Sequence, residues 1–295
     1  MGSVWELDFY SRPLLDENQK RRWEVLICEG FVDVHSQSDQ LFRYSKFLSN
    51  TEVNSLNLQA AIEEAISLAP SPPGRIRYFR YQMQNMIQRA CDQLGIPAVA
   101  SRRTLALQRW IEDRHQSFYP GQPGYTTLPS PTVAAPPPTP RPLPDALIGQ
   151  RWAFVTLEAT SFGDLPEWPI SFGESFPLQG IDPHTPIPGL LIFSARATAL
   201  AAWLSGLELA YWWVETGKRP QLVLETGAAD SWILAPLTTA ALLQEAQSFE
   251  AAKTRANQLH FIAVQTTPDS DRFDGFWLLQ GDVHWTDQPG PQLSA

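Results

Sequence analysis

The sequence predicts an α+β protein of two domains, each a mixed sheet with helices, joined by a proline-rich linker. Three observations carry this. First, 295 residues exceed the usual single-domain size, and 43% hydrophobic against 18% charged residues is enough apolar matter for two cores. Second, ten prolines fall between Tyr119 and Ile148, from Pro120 to Pro144, with Arg141 and Asp145 the charges there. Such a stretch lacks amide donors and reads as an extended, polyproline-like segment. Third, the flanks differ. Residues 1–119 hold 14 Lys+Arg and 14 Asp+Glu, whereas residues 145–295 hold 7 and 17 and carry eight of the 11 tryptophans. The expected boundaries are 1–118, 119–148 and 149–295.

The elements follow in order. Val4–Tyr10 and Trp23–Glu29 are β-rich runs around a polar turn, Asp16–Arg21, and read as antiparallel neighbours. Leu41–Phe47 is a third strand. Leu58, Ile62, Ala65 and Ile66 recur at helical spacing, so 54–68 is a helix, stopped by Pro70, Pro72, Pro73 and Gly74. Arg75–Arg80 is strand-like. Met83, Met86, Ile87, Ala90 and Leu94 mark a second helix closed by Gly95. Ile96–Ala100 is a short strand, and Ser101 is a candidate cap for a third helix carrying Leu105, Trp110 and Ile111. In the second half, strands are expected at Trp152–Glu158, Leu190–Phe193, Gln221–Glu225, Ser231–Leu234, His260–Val264 and Phe273–Leu279. An Ala/Leu-rich helix follows Ser194, and another covers 238–256. Residues 160–189, rich in proline and glycine, read as an irregular loop.

Composition excludes several classes. A net charge of −9 and a pI near 5.1 rule out a simple basic nucleic-acid coat, so any RNA contact needs a local patch. Two cysteines, Cys28 and Cys91, exclude a disulfide scaffold and suit a reducing compartment. No apolar run reaches the length of about 18 residues that a membrane span needs. The opening MGSVWELDFYSRP has neither the basic nor the apolar region of a signal peptide.

Most catalytic signatures are absent: no Walker A loop, GxGxxG, GxSxG or HExxH. The five histidines lack ligand spacing, so no metal or cofactor is expected. The best catalytic candidates are carboxylates. Glu6 and Asp8 share one strand face by the two-residue period, and Glu24 sits on the neighbouring strand. Together they could hold Mg²⁺ for phosphodiester hydrolysis. The acid–spacer–lysine pattern of a restriction-type nuclease is missing, however. The alternative is a solvated hairpin face paired with Arg12, Arg21 or Arg22.

Residues 70–119 hold eight arginines against three acids. Arg75-Ile76-Arg77-Tyr78-Phe79-Arg80-Tyr81 interleaves arginines with rings, and Arg102, Arg103, Arg109 and Arg114 follow. RNA readers use this mixture, guanidinium on phosphate and ring on base. The expected RNA contacts are Arg75, Arg77, Tyr78, Arg80, Tyr81, Arg102 and Arg103. The alternative is a strand with core rings and merely solvated arginines.

The ends of the chain add a resemblance. Val4-Trp5-Glu6-Leu7-Asp8-Phe9-Tyr10-Ser11-Arg12-Pro13-Leu14-Leu15-Asp16, then Lys20-Arg21-Arg22-Trp23-Glu24, resembles the opening of the Tab/Atab family. Gly275-Phe276-Trp277-Leu278-Leu279 is similar to that family's Trp-Leu-Leu tripeptide. Pro73–Arg80, Leu224–Gly227 and Trp232–Leu234 also fit. The motif residues are thus Trp5, Glu6, Asp8, Arg12, Trp277, Leu278 and Leu279. The resemblance implies a non-catalytic, RNA-binding factor of cyanobacteria and plastids. It would promote translation of photosystem reaction-centre messages and photosystem biogenesis. The implied partner is single-stranded RNA in a message leader. The acidic second domain suits a protein partner. With no transit peptide read in the sequence, a cytoplasmic, cyanobacterial-type location is expected.

Overall fold

The computed structural model describes residues 3–127 and 139–281. These divide into two compact units, 3–30 with 38–127 and 31–37 with 139–281.

The first unit is built on one five-stranded sheet. β1 (Ser3–Leu15), β2 (Arg21–Glu29) and β3 (Arg43–Leu48) form an antiparallel meander. Asp16 makes the first turn, its Oδ1 accepting the N–H groups of Asn18 and Lys20, both at 2.9 Å. α1 (Ser55–Leu68) is capped by Asn54, whose side chain accepts from the Asn57 N–H. It carries the chain across to β4 (Pro73–Tyr78), which lies parallel to β1 on its free side. α2 (Gln84–Gln93) then leads to β5 (Ala98–Ala100), parallel to β4. The sheet order is β3-β2-β1-β4-β5. α3 (Leu105–Asp113) follows and runs into a π-helical turn, Arg114–Phe118. The helix begins after Thr104, so Ser101 is not its cap. The Ser101 hydroxyl instead accepts from the Arg103 N–H at 3.0 Å.

Strand alternation sorts β1 into two sets. Trp5, Leu7 and Phe9 enter the core with Leu58, Ile62, Ala65, Ile76 and Ile87, beneath α1 and α2. Glu6, Asp8 and Arg12 belong to the opposite set. They too are buried, because α3 packs over β1 and β2.

The second unit has two sheets around a shared core. β6 (Arg141–Pro142), β10 (Leu209–Glu215), β11 (Gln221–Thr226) and β12 (Asp230–Pro236) form one sheet, in the order β10-β11-β12-β6. β7 (Arg151–Glu158), β8 (Ile170–Glu174), β9 (Pro186–Phe193), β13 (Leu259–Gln265) and β14 (Phe273–Gln280) form the other, in the order β7-β9-β13-β14-β8. α4 (Ala197–Ser205) and α5 (Ala240–Arg255) contribute to the same core. Trp212 is its centre. The ring stacks on Phe249 at 3.8 Å, and the indole N–H donates to the Phe261 carbonyl at 3.1 Å. His260 Nε2 accepts the Trp212 backbone N–H at 3.1 Å, and burial lowers this imidazole to a pKa of about 3.

The expected α+β class holds in both units. The interval 160–189 is more ordered than a loop, with a 3₁₀ stretch at Ala159–Glu167 and the edge strand β8 inside it. β10 was not anticipated. Both ends of the proline-rich interval are packed: Tyr119 is fully buried, Tyr125 bridges to Leu14, and Leu143 enters the second core. Pro129, Pro131, Pro136, Pro137 and Pro138 lie outside the described residues.

Candidate nucleic-acid interface

The carboxylates singled out in the sequence are neither a metal cradle nor a solvated hairpin face. Asp8 and Glu24 form a buried network with three arginines. Arg12 donates from its terminal nitrogen to Asp8 Oδ2 at 2.8 Å and from Nε to Glu24 Oε2 at 3.1 Å. Arg80 Nε donates to Asp8 Oδ1 at 2.7 Å. Arg114 donates to the other Glu24 oxygen, and the Tyr119 hydroxyl to Glu24 Oε2 at 2.6 Å. Burial alone would raise the Asp8 carboxyl, but Arg80 and Arg12 outweigh it and hold the group below its ordinary range. Arg12 is correspondingly raised, Asp8 overcoming the cost of burying the cation.

Glu6 stands apart from that network. Its Oε2 accepts the Leu107 N–H at 2.7 Å, so it sits on the N-terminal turn of α3. Burial raises it to about 8, against the opposing pull of that hydrogen bond and of Arg77 and Arg103. Gly30 leaves room beside it, since a Cβ there would lie 2.9 Å from Glu6 Oε1 and would shift the carboxyl. The three acids therefore do not converge. Among the described residues no group of three His, Cys, Asp or Glu side chains could hold a metal ion.

The seven expected RNA contacts separate by burial. Tyr78 has no exposed surface and belongs to the core below α1 and α2, so it cannot stack on a base. Arg77 and Arg103 are buried near Glu6, where α3 covers the sheet, and cannot reach phosphates in this fold. These three assignments are corrected. Alternation explains the error: β4 ends at Tyr78, and both of its faces are covered. Arg80 is largely held inside by Asp8, its guanidinium 3.7 Å over the Tyr10 ring. Tyr81 is 63% exposed, while Arg75 and Arg102 are half-buried.

Topology gathers some of the remainder. The Ser101 N–H donates to the Tyr78 carbonyl at 2.8 Å, so the segments leaving β4 and β5 run side by side. Arg80, Tyr81 and Arg102 thus lie along the carboxyl ends of two parallel strands, where open α/β sheets receive ligands. Arg75 lies near the other end of β4. Arg114 and Tyr119, which sequence reasoning did not connect to Glu24, complete the buried network. Their partner Glu24 lies 90 and 95 residues away, so no local sequence signal marked them.

The other motif residues are interior. Trp5, Glu6, Asp8 and Arg12 are all buried, with Trp5 stacked on Phe42 at 5.4 Å. Trp277 and Leu279 enter the core of the second unit. Leu278 faces the other way, beside its register partner Phe261, which Phe162 covers. The tripeptide is core on both faces.

A mixed-sheet unit followed by a two-sheet unit defines a two-domain α+β protein. The family described as RNA-binding protein Tab2/Atab2 matches in both parts, its N-terminal domain over residues 4–114 and its C-terminal domain over 130–280. The chain belongs to that family. It is 37% identical over 286 residues to "Protein TAB2 homolog, chloroplastic" of Zea mays, covering 93% of this chain and 70% of that one. It is 37% identical over 289 residues to the protein of the same name in Arabidopsis thaliana, covering 93% and 74%. Among solved structures, a simian T-cell lymphotropic virus intasome chain aligns with a TM-score of 0.28 and 15% identity, over 41% of this chain and 44% of that one. The HTLV-2 integrase catalytic core aligns with a TM-score of 0.26 and 15% identity, over 41% and 76%. Likenesses this weak carry no argument. The expected cytoplasmic location does not stand, because both relatives are named as chloroplastic proteins. No helix among the described residues is long and apolar enough to cross a membrane.

Proposed function

We propose that this protein is a non-catalytic RNA-binding factor that promotes translation of photosystem reaction-centre messages. It takes single-stranded leader RNA at the carboxyl edge of β4 and β5. Family membership supports the RNA partner. The observation that carries the site is the exposed Tyr81 ring, on the segment leaving β4 with Arg80 and beside the segment leaving β5 with Arg102. Tyr81 would stack on a base, Arg102 would meet a phosphate, and Asp8 would fix Arg80 so that the edge stays ordered. The non-catalytic reading is supported by the carboxylates themselves: Asp8 and Glu24 are taken up by arginines, and Glu6 by the α3 terminus.

The test is fluorescence anisotropy with a labelled single-stranded message leader across salt concentrations. Tyr81→Ala should weaken binding by roughly 1–3 kcal/mol at every salt concentration. Arg102→Ala should lower the slope of log affinity against log salt by about 0.7. Both positions are accessible, so circular dichroism should show parent-like folding. Folded variants that bind as tightly as the parent would place the RNA surface elsewhere.

A further inference from the structure

β7 is an edge strand of the five-stranded sheet, paired with β9 alone. Natural edges are blunted by lysine, proline, bulges or shortness. The opposite edge, β8, is five residues long. β7 has eight, and its centre, Trp152-Ala153-Phe154-Val155-Thr156-Leu157, contains no charge, proline or glycine.

The prolines of β9 tell which backbone groups of β7 face outward. Thr156 lies opposite Pro188 and Glu158 opposite Pro186. Proline cannot donate, so these are not hydrogen-bond-exchanging pairs of the antiparallel ladder. The ladder therefore runs through Ala153, Val155 and Leu157. The N–H and C=O groups of Trp152, Phe154 and Thr156 point to the open edge. Among the described residues no strand lies on that side.

Beside this edge runs a groove of about 550 Å³ between β7 and α5. Phe154, Thr156, Ser248, Phe249 and Ala252 line it, and Glu245 is its charged residue. A strand added to β7 would hydrogen-bond to the outward groups and send alternate side chains into the groove.

We infer that β7 and α5 form a docking site for an extended segment of a partner protein, apolar at alternate positions and carrying Lys or Arg. Charge chooses this occupant. Residues 145–295 carry 17 acids against 7 bases, so two copies meeting at this edge would repel, whereas a basic segment is attracted. Glu245 and the Glu158 end of β7 supply local contacts for its cations. The site is independent of the RNA surface proposed above.

The experiment is selection of phage-displayed random dodecamer peptides on the full chain, followed by affinity measurement of the enriched sequences. Alternating apolar and basic peptides should emerge. Thr156→Pro removes one outward donor yet leaves the β9 ladder intact, as proline does on edge strands. It should weaken binding at least about tenfold. Ser248→Trp, at an exposed position of α5, fills the groove while leaving the sequence of β7 unchanged and should have a similar effect. Glu245→Lys should weaken the basic peptides selectively. Melting curves check that each variant is folded. Failure to enrich any peptide, or binding indifferent to both Thr156→Pro and Ser248→Trp, overturns the inference. So does a parent dimer in analytical ultracentrifugation that Thr156→Pro dissociates, for then a second copy occupies the edge.

Discussion

Replacing Glu24 with Gln should be among the most damaging conservative changes in the first unit. Glu24 has no exposed surface and accepts from Arg12 at 3.1 Å, from Tyr119 at 2.6 Å and from Arg114. The amide keeps the shape but removes the charge and turns one acceptor into a donor aimed at guanidinium groups. Asp8 would still face Arg12 and Arg80, while Arg114 would lose its carboxylate partner. Breaking a buried ion pair by removing one partner costs about 3–5 kcal/mol, since the remaining cation stays buried uncompensated. Domains are stable by only about 5–15 kcal/mol, so the loss is a large fraction of the total. Tyr119→Phe is the matched control, as it deletes the donation to Glu24 and the acceptor for Arg114 Nε at 3.3 Å, and should cost about 1.5–3 kcal/mol. Urea unfolding of the full chain, followed by tryptophan fluorescence, gives both numbers. A Glu24→Gln loss below about 1 kcal/mol, or smaller than that of Tyr119→Phe, would refute the assignment of this network as the charged core of the unit.

Two further outcomes are expected. Glu6 has a folded pKa near 8 against an ordinary value of 4.5, so its contribution is full below about pH 4.5 and is lost as pH rises through 8. The parent's urea midpoint should therefore fall between pH 5 and pH 8.5 more steeply than that of Glu6→Gln, and equal slopes would count against a buried, protonated Glu6. Gly275→Ala places a Cβ 2.4 Å from the Trp277 ring, which overpacking of about 1–3 kcal/mol should register as a lower melting temperature. An unchanged melting temperature would mean that the Trp277 ring is not fixed in the core.

Local periodicity made most elements readable. The strands of the meander, α1, α2 and the strands β9, β11, β13 and β14 follow from alternation, helical spacing and proline stops. β10 was legible too, since Leu209-Ala-Tyr-Trp-Trp-Val is a β-rich run, but it follows α4 so closely that the helix obscured it. Burial of the arginines could not be read locally. The partners that decide it are distant in sequence: Arg80 and Asp8 are 72 residues apart, Arg114 and Glu24 are 90, and Leu107 and Glu6 are 101. A local excess of arginine records composition, and only the parallel placement of β4 against β1 converts it into direction. The same holds for Tyr78, which lies among arginines and apolar residues in sequence but inside the apolar core in space.

This division of the arginines constrains how the protein can hold RNA. Residues 70–119 contain eight arginines. Arg77, Arg103 and Arg114 are buried, and Arg80 is held by Asp8. Arg75, Arg89, Arg102 and Arg109 keep accessible surface. Each phosphate contact on a single strand contributes about 0.7 to the slope of log affinity against log salt, so four contacts set a ceiling of about 3 for this stretch. On the RNA surface proposed above, stacking on rings such as Tyr81 would contribute as much to affinity as charge. That suits an acidic chain, for which long-range attraction to RNA is weak and a match in shape and stacking must select the site. The measured slope for the parent protein on a single-stranded leader should be shallow, at or below about 3 in magnitude. A slope above about 4 would require six or more phosphate contacts, more than this surface can supply, and would move the RNA path away from the β4–β5 edge.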